Sequence, residues 1–279
     1  MTEAEPELTE KRRRAKRRLA ALLEVVLVLS GTLWLVGLVA NSTAAARQWA
    51  VLGRPFLEYL TLMAVPLAVL TLTRRDLAEN GLSAVGLRRN LHGAFVCMVP
   101  YAAAHAMPSL IAGSAVLVTA VSAALALGAL VISARLLPSS APGPLLLCAL
   151  VPAFLLGQGV LAGAMSAAVF YVVFLGLGEE VLFRGYIQST LNRAHGRPWC
   201  YRGVRFGWGL PVAALLFGAF HVLNLPQLYA GELQLAWSVG AVAVIWGLFF
   251  GYLREWGGSV VAPALVHGVP QAIAVAMGW

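Results

Sequence analysis

Charge is scarce in this chain. Charged side chains make up 11% of its 279 residues, and 60% of the residues are hydrophobic. A soluble domain carries about a quarter charged residues, so the balance excludes a soluble globular enzyme and reads as an integral membrane protein. Cysteine is scarce too. Cys97, Cys148 and Cys200 have no paired spacing, which excludes a disulfide framework and a cysteine-ligated metal centre. There are two lysines against 18 arginines, with alanine and leucine dominant, a pattern that fits a GC-rich bacterial source. No internal repeat marks a transporter built from inverted halves, and no His-Glu-x-x-His motif marks a zinc protease of the soluble type. The net charge of +8 does not imply nucleic acid, because seven basic residues lie within Lys11–Arg18. There they mark the cytoplasmic side and attract anionic membrane lipid.

Long apolar runs are what the chain has in abundance. A span needs about 20 residues, and the runs give eight or nine helices near 19–40, 56–73, 91–110, 113–134, 144–160, 162–190, 211–228, 235–253 and 259–276. The expected fold is therefore an all-α, polytopic membrane protein. The run from Leu19 to Ala40 exceeds the roughly 7–15 residues of a signal-peptide core. It is read as a transmembrane anchor behind a solvated, irregular leader over residues 1–18. Residues 19–160 then form an N-terminal group of helices, and 161–279 hold the chemistry. Basic clusters at Arg74/Arg75, Arg88/Arg89 and Arg193/Arg197/Arg202/Arg205 share the leader's side if nine helices span. Merging 144–160 with 162–190 would place the last cluster outside, so the positive-inside rule favours nine. Gly81–Arg89 reads as an interfacial element at the same face.

The chemistry concentrates at Glu179 and Glu180, set in apolar sequence with Arg184 following. An ionised group at membrane depth costs roughly 2.5–3.5 kcal/mol on insertion scales. Three in six residues must be paired, hydrated or needed. On an α-helix Glu180 and Arg184 share a face and form an ion pair, whereas Glu179 points about 100° away. Glu179 is the carboxylate without an intrahelical partner, hence the better general base. The alternative is a purely structural charge cluster. Five histidines accompany it. His92 and His195 lie beside or within basic loops and read as solvated, and His105 reads as a core or interfacial residue. His221 and His267 lie mid-helix in late apolar runs. Phe217 precedes His221 by one turn on the same face, with Gly218 and Ala219 allowing close helix approach. Gln271 follows His267 by four residues, and its amide can donate to an oxyanion. Glu179, His221 and His267 also make a one-carboxylate, two-imidazole set, the ligand count of a catalytic zinc site. The same set can activate water without metal, and both readings stay open.

Glu-Glu-x-x-x-Arg at 179–184, Phe-x-x-x-His at 217–221 and His-x-x-x-Gln at 267–271 occur in that order on hydrophobic helices. Together they resemble the CPBP family of intramembrane proteases, also called the CAAX protease or Abi family. It includes type II CAAX prenyl endopeptidases and bacterial relatives linked to bacteriocin self-immunity. The similarity covers about residues 165–275. Gly86-Leu-Arg-Arg89 and Gly258-Ser259 also resemble common bacterial members. The resemblance implies an intramembrane endopeptidase in which Glu179 activates water and His221 assists. It further implies that His267 and the residue at 271 stabilise the oxyanion or position the water, with Glu180 and Arg184 as the supporting ion pair. One position departs from the family. Asparagine usually stands where this chain has Gln271, and Pro270 precedes it, removing the hydrogen bond to Val266 and kinking the helix. The expected partner is a membrane-associated peptide or protein substrate. Two rivals accompany this reading: a proton-coupled transporter using the same carboxylates and histidines, and a non-catalytic scaffold or immunity protein on the protease fold.

Overall fold

The computed structural model describes residues 4–106, 114–137 and 166–276. The order is α1 (Ala4–Ala40), α2 (Thr43–Leu52), α3 (Phe56–Leu72), α4 (Leu87–Ala106) and α5 (Ala115–Leu136). Then come α6 (Ser166–His195), a two-stranded hairpin of β1 (Trp199–Tyr201) and β2 (Val204–Phe206), α7 (Gly209–Val222), α8 (Leu225–Tyr229), α9 (Trp237–Gly257) and α10 (Val261–Ala276). The all-α expectation holds apart from the hairpin. Four described helices are long and apolar enough to cross a membrane: Thr9–Ala40, Val116–Leu136, Ser166–His195 and Trp237–Gly257. Phe56–Leu72, Gly209–Val222 and Val261–Val275 are apolar but shorter. The run at 144–160, on which eight or nine depended, lies outside the described residues.

The leader differs from expectation. It is helical from Ala4 and continuous with the first span. A Glu10–Arg14 pair at 2.9 Å lies along this exposed stretch, the i,i+4 arrangement that supports a solvated helix. Beyond it the outer faces are apolar and exposed, as at Leu27, Trp34 and Val116, because lipid rather than protein covers them.

α6 is the central helix, packed by α1, α3, α7, α9 and α10. Every residue from Gly178 to Asn192 is buried. Its backbone differs from the α-helix assumed from sequence: Val169–Leu177 and Val181–Gln188 are π-helical, flanking Gly178–Glu180. π-helical turns are uncommon and recur at functional sites. The wider turn still leaves residues four apart as near neighbours. Close glycine contacts fix what packs against it. A side chain on Gly268 of α10 would collide with the Tyr171 carbonyl of α6, and one on Gly176 would come within 2.6 Å of the Ala264 carbonyl. α7 and α9 approach in the same way through Gly218 and Gly240, the small-residue contact that membrane interfaces favour.

Polar side chains gather at one end of the bundle. Glu255 on α9 accepts from Gln188 and Asn192 at 2.7 Å each and from Arg197 at 2.9 Å. Arg75 meets Glu24 at 2.6 Å and Thr190 at 3.1 Å, and the hydrogen bond to Glu24 holds its pKa above the ordinary guanidinium value. The segment after α3 lies at this same end. It is tied down where Ser259 donates to the carbonyls of Gly81 and Ser83 at 3.1 and 3.0 Å.

Candidate active site

α6 carries both carboxylates into the interior, where Glu179 is 2% exposed and Glu180 and Arg184 are fully buried. Arg184 Nη1 donates to Glu180 Oε1 at 2.9 Å and Nη2 to the Gly247 carbonyl at 3.2 Å. Its guanidinium lies 4.5 Å above the Phe217 ring and 5.3 Å from that of Phe250. Two hydrogen bonds and two aromatic faces thus hold a cation that lipid would reject.

His267 on α10 sits between the two carboxylates. Its Nε2 lies 3.9 Å from Glu179 Oε2 and its Nδ1 3.4 Å from Glu180 Oε1. Neither approach is an aligned hydrogen bond, because His267 Nδ1 and Glu179 Oε2 have no hydrogen-bond partner within the protein. Glu180 Oε2 and Arg184 Nε are likewise unpartnered. Buried polar atoms are normally satisfied. Here four such atoms lie on the three residues Glu179, Glu180 and Arg184 and on His267 beside them. Stacking on Phe250 at 4.8 Å fixes the imidazole plane.

His221 on α7 is half-buried, with its ring 4.5 Å from that of Phe217. Its Nδ1 lies 2.8 Å from the Phe217 carbonyl. A carbonyl only accepts, so Nδ1 carries a proton, and in the neutral ring Nε2 is then the lone-pair acceptor. His221 lies on the wall of two cavities. The larger, about 660 Å³, is also lined by Glu179, Tyr59 and Glu58. The smaller, about 310 Å³, is lined by His267, Gln271 and Tyr101. The six sequence-predicted residues therefore converge, but not on one point. Glu179 opens to one cavity and Gln271 to the other, where its side chain hydrogen-bonds the Tyr101 hydroxyl. His105 lies where side chains are not described.

Two residues lining the larger cavity escaped the sequence reading. Tyr59 places its hydroxyl 3.4 Å from Glu179 Oε1, and Glu58 beside it is a third buried carboxylate. The signal was present, since Glu58 is an acidic residue at the head of an apolar run. Among the described residues no three His, Cys, Asp or Glu side chains lie close enough to hold one metal ion. Glu179, His221 and His267 do not fit zinc as placed.

Fold and site together define a multi-pass, α-helical membrane protein with an acid–imidazole centre buried among its helices. Residues 161–273 match the family model of type II CAAX prenyl endopeptidase Rce1-like proteins, a match that supports the likeness of this part of the chain to the CPBP, or CAAX protease, family. No curated protein and no solved structure matches the chain.

Proposed function

We propose that the protein is an intramembrane endopeptidase that cleaves a membrane-associated peptide or protein with water activated at Glu179. The observation that carries this reading is the Glu179 carboxylate itself. It is buried, one oxygen has no protein partner, and it lines a large cavity shared with His221. Glu179 takes a proton from water as the oxygen attacks the scissile carbonyl. His221, with Nε2 free, orients that water and shuttles the proton to the leaving amine. His267 and Gln271 donate to the developing oxyanion from the adjoining wall. Glu180 and Arg184 hold the helix and imidazole in place, so that the donors are set before charge develops.

The topology that accompanies this reading has nine spans in the cell membrane and a cytoplasmic amino terminus. In it, residues 1–18 form the leader, 19–160 the N-terminal helices and 161–279 the catalytic helices. Substrate enters sideways from the bilayer into the larger cavity, and that cavity supplies the water which lipid excludes.

The test is cleavage of a membrane-peptide library by the purified protein in liposomes, with Glu179→Ala and His221→Ala as comparisons. Turnover by wild type and loss of at least about a hundredfold in both variants is expected for an acid–base pair. Turnover that survives both substitutions overturns the assignment. A strong chelator is expected to leave the rate unchanged, and inhibition reversed by added zinc would overturn the metal-free route.

A further inference from the structure

The larger cavity holds a carboxylate that the cleavage chemistry does not use. Glu58, in the first turn of α3, is 8% exposed and lines that cavity with Glu179. Gln48 of α2 clamps it. The Gln48 amide nitrogen donates to Glu58 Oε2, while Gln48 Oε1 accepts from the Leu57 backbone amide at 2.8 Å. Among the described residues no lysine or arginine pairs with Glu58, and none lines the cavity. The remaining wall is largely apolar and aromatic, with Trp49, Tyr59, Phe220 and Tyr229.

A carboxylate held in an apolar wall is costly unless a cation meets it. Aromatic faces attract cations by their quadrupole, and charge-assisted hydrogen bonds to a carboxylate are among the strong ones. The second carboxylate in the same wall is Glu179, whose Oε2 has no hydrogen-bond partner within the protein. A helix-dipole role would account for an acidic residue in a first turn. It would not account for a clamp that fixes the carboxylate in a cavity wall without lysine or arginine.

We infer that this cavity selects a substrate segment bearing a lysine or arginine near the scissile bond, with Glu58 as the specificity-determining residue. The inference rests on the protease reading of the site. It differs from that reading in what it requires, because it demands discrimination by charge and not merely turnover.

Binding separates the two. Protein carrying His221→Ala, reconstituted in liposomes, is titrated with membrane peptides that differ only in lysine, norleucine or glutamate at one scanned position. Partition into protein-free liposomes is subtracted. The lysine peptide is expected to bind at least about tenfold more tightly than its norleucine twin, the scale of a hydrogen bond to a charged group. Glu58→Gln should remove the preference, Glu58→Asp should retain most of it, and Glu58→Lys should favour the glutamate peptide. Equal binding of all peptides, no binding of any, or a lysine preference that survives Glu58→Gln would each overturn the inference. Wild-type turnover is followed in parallel. Charge-selective binding without cleavage sinks the protease reading and leaves the cation site standing, whereas cleavage without charge preference does the reverse.

Discussion

Because Glu180 and Arg184 are buried together, removing one strands the other. The pair is fully shielded at 2.9 Å, and an unpaired charge left in such a place costs about 3–5 kcal/mol. Arg184→Met is therefore expected to lower the unfolding midpoint in detergent sharply. Glu180→Leu combined with Arg184→Met should cost less than Arg184→Met alone, because no buried charge remains. Equal losses in the single and double variants would show that packing, not charge, sets the cost. Tyr59 predicts a different outcome. Its hydroxyl reaches Glu179 at 3.4 Å, a long contact, so Tyr59→Phe should lower kcat by about tenfold or less with the unfolding midpoint unchanged. A drop in both would make Tyr59 a structural residue. Glu179, Glu180 and His267 were legible in the sequence as candidates because ionisable groups in apolar runs have few explanations. Tyr59 was not, since a tyrosine in a membrane helix carries no such signal, and its role depends on α3 packing against α6.

Among the elements, helix existence was easier to read than helix geometry. Hydropathy placed α3, α4, α6, α9 and α10 within a few residues of their observed limits. α2 and the hairpin were missed because ten residues of mixed polarity and three-residue strands leave no periodic signal. The π-helical backbone of α6 was invisible for another reason: hydrophobicity all round the helix erases the period that distinguishes one turn width from another. That backbone brings α10 into glycine-mediated contact, and the contact positions His267. Gly268→Ala puts a methyl group into the Tyr171 carbonyl. Overpacking of this kind costs about 1–3 kcal/mol, and here it also pushes His267 away from Glu179 and Glu180. The expected result is a modest fall in stability with a disproportionate fall in kcat. Gly128→Ala is the control, because a side chain there meets nothing within 4 Å. Equal activity losses at the two positions would remove the positional argument.

For the whole molecule, charge is sorted by end. Arg75, Arg193, Arg197 and Arg254 join a network with Glu24, Asn80 and Glu255, and Arg89 lies 4.4 Å over Trp256 at the same end. The basic clusters near 74, 88 and 193–205 are thus neighbours in space as well as alike in charge. The positive-inside rule assigns such an end to the cytoplasm. Exposed Trp199, Tyr201 and Trp208 around the hairpin suit the headgroup level, where amphipathic rings collect. The contacts of Arg75 with Glu24 and Thr190, and of Arg193 with Asn80, put the hairpin at the leader's end of the bundle, and the segment that decides the number of spans lies outside the described residues. Cys200 tests which side of the membrane this end faces. It is exposed on β1, whereas Cys97 is buried. In a Cys148→Ser background, a membrane-impermeant maleimide should leave sealed right-side-out vesicles unlabelled and should label Cys200 once they are permeabilised. Labelling of the sealed vesicles would put the hairpin outside. It would also break the link between the clustered arginines and the cytoplasmic face, because the network that joins Arg197 to Glu255 would then sit against the outer leaflet.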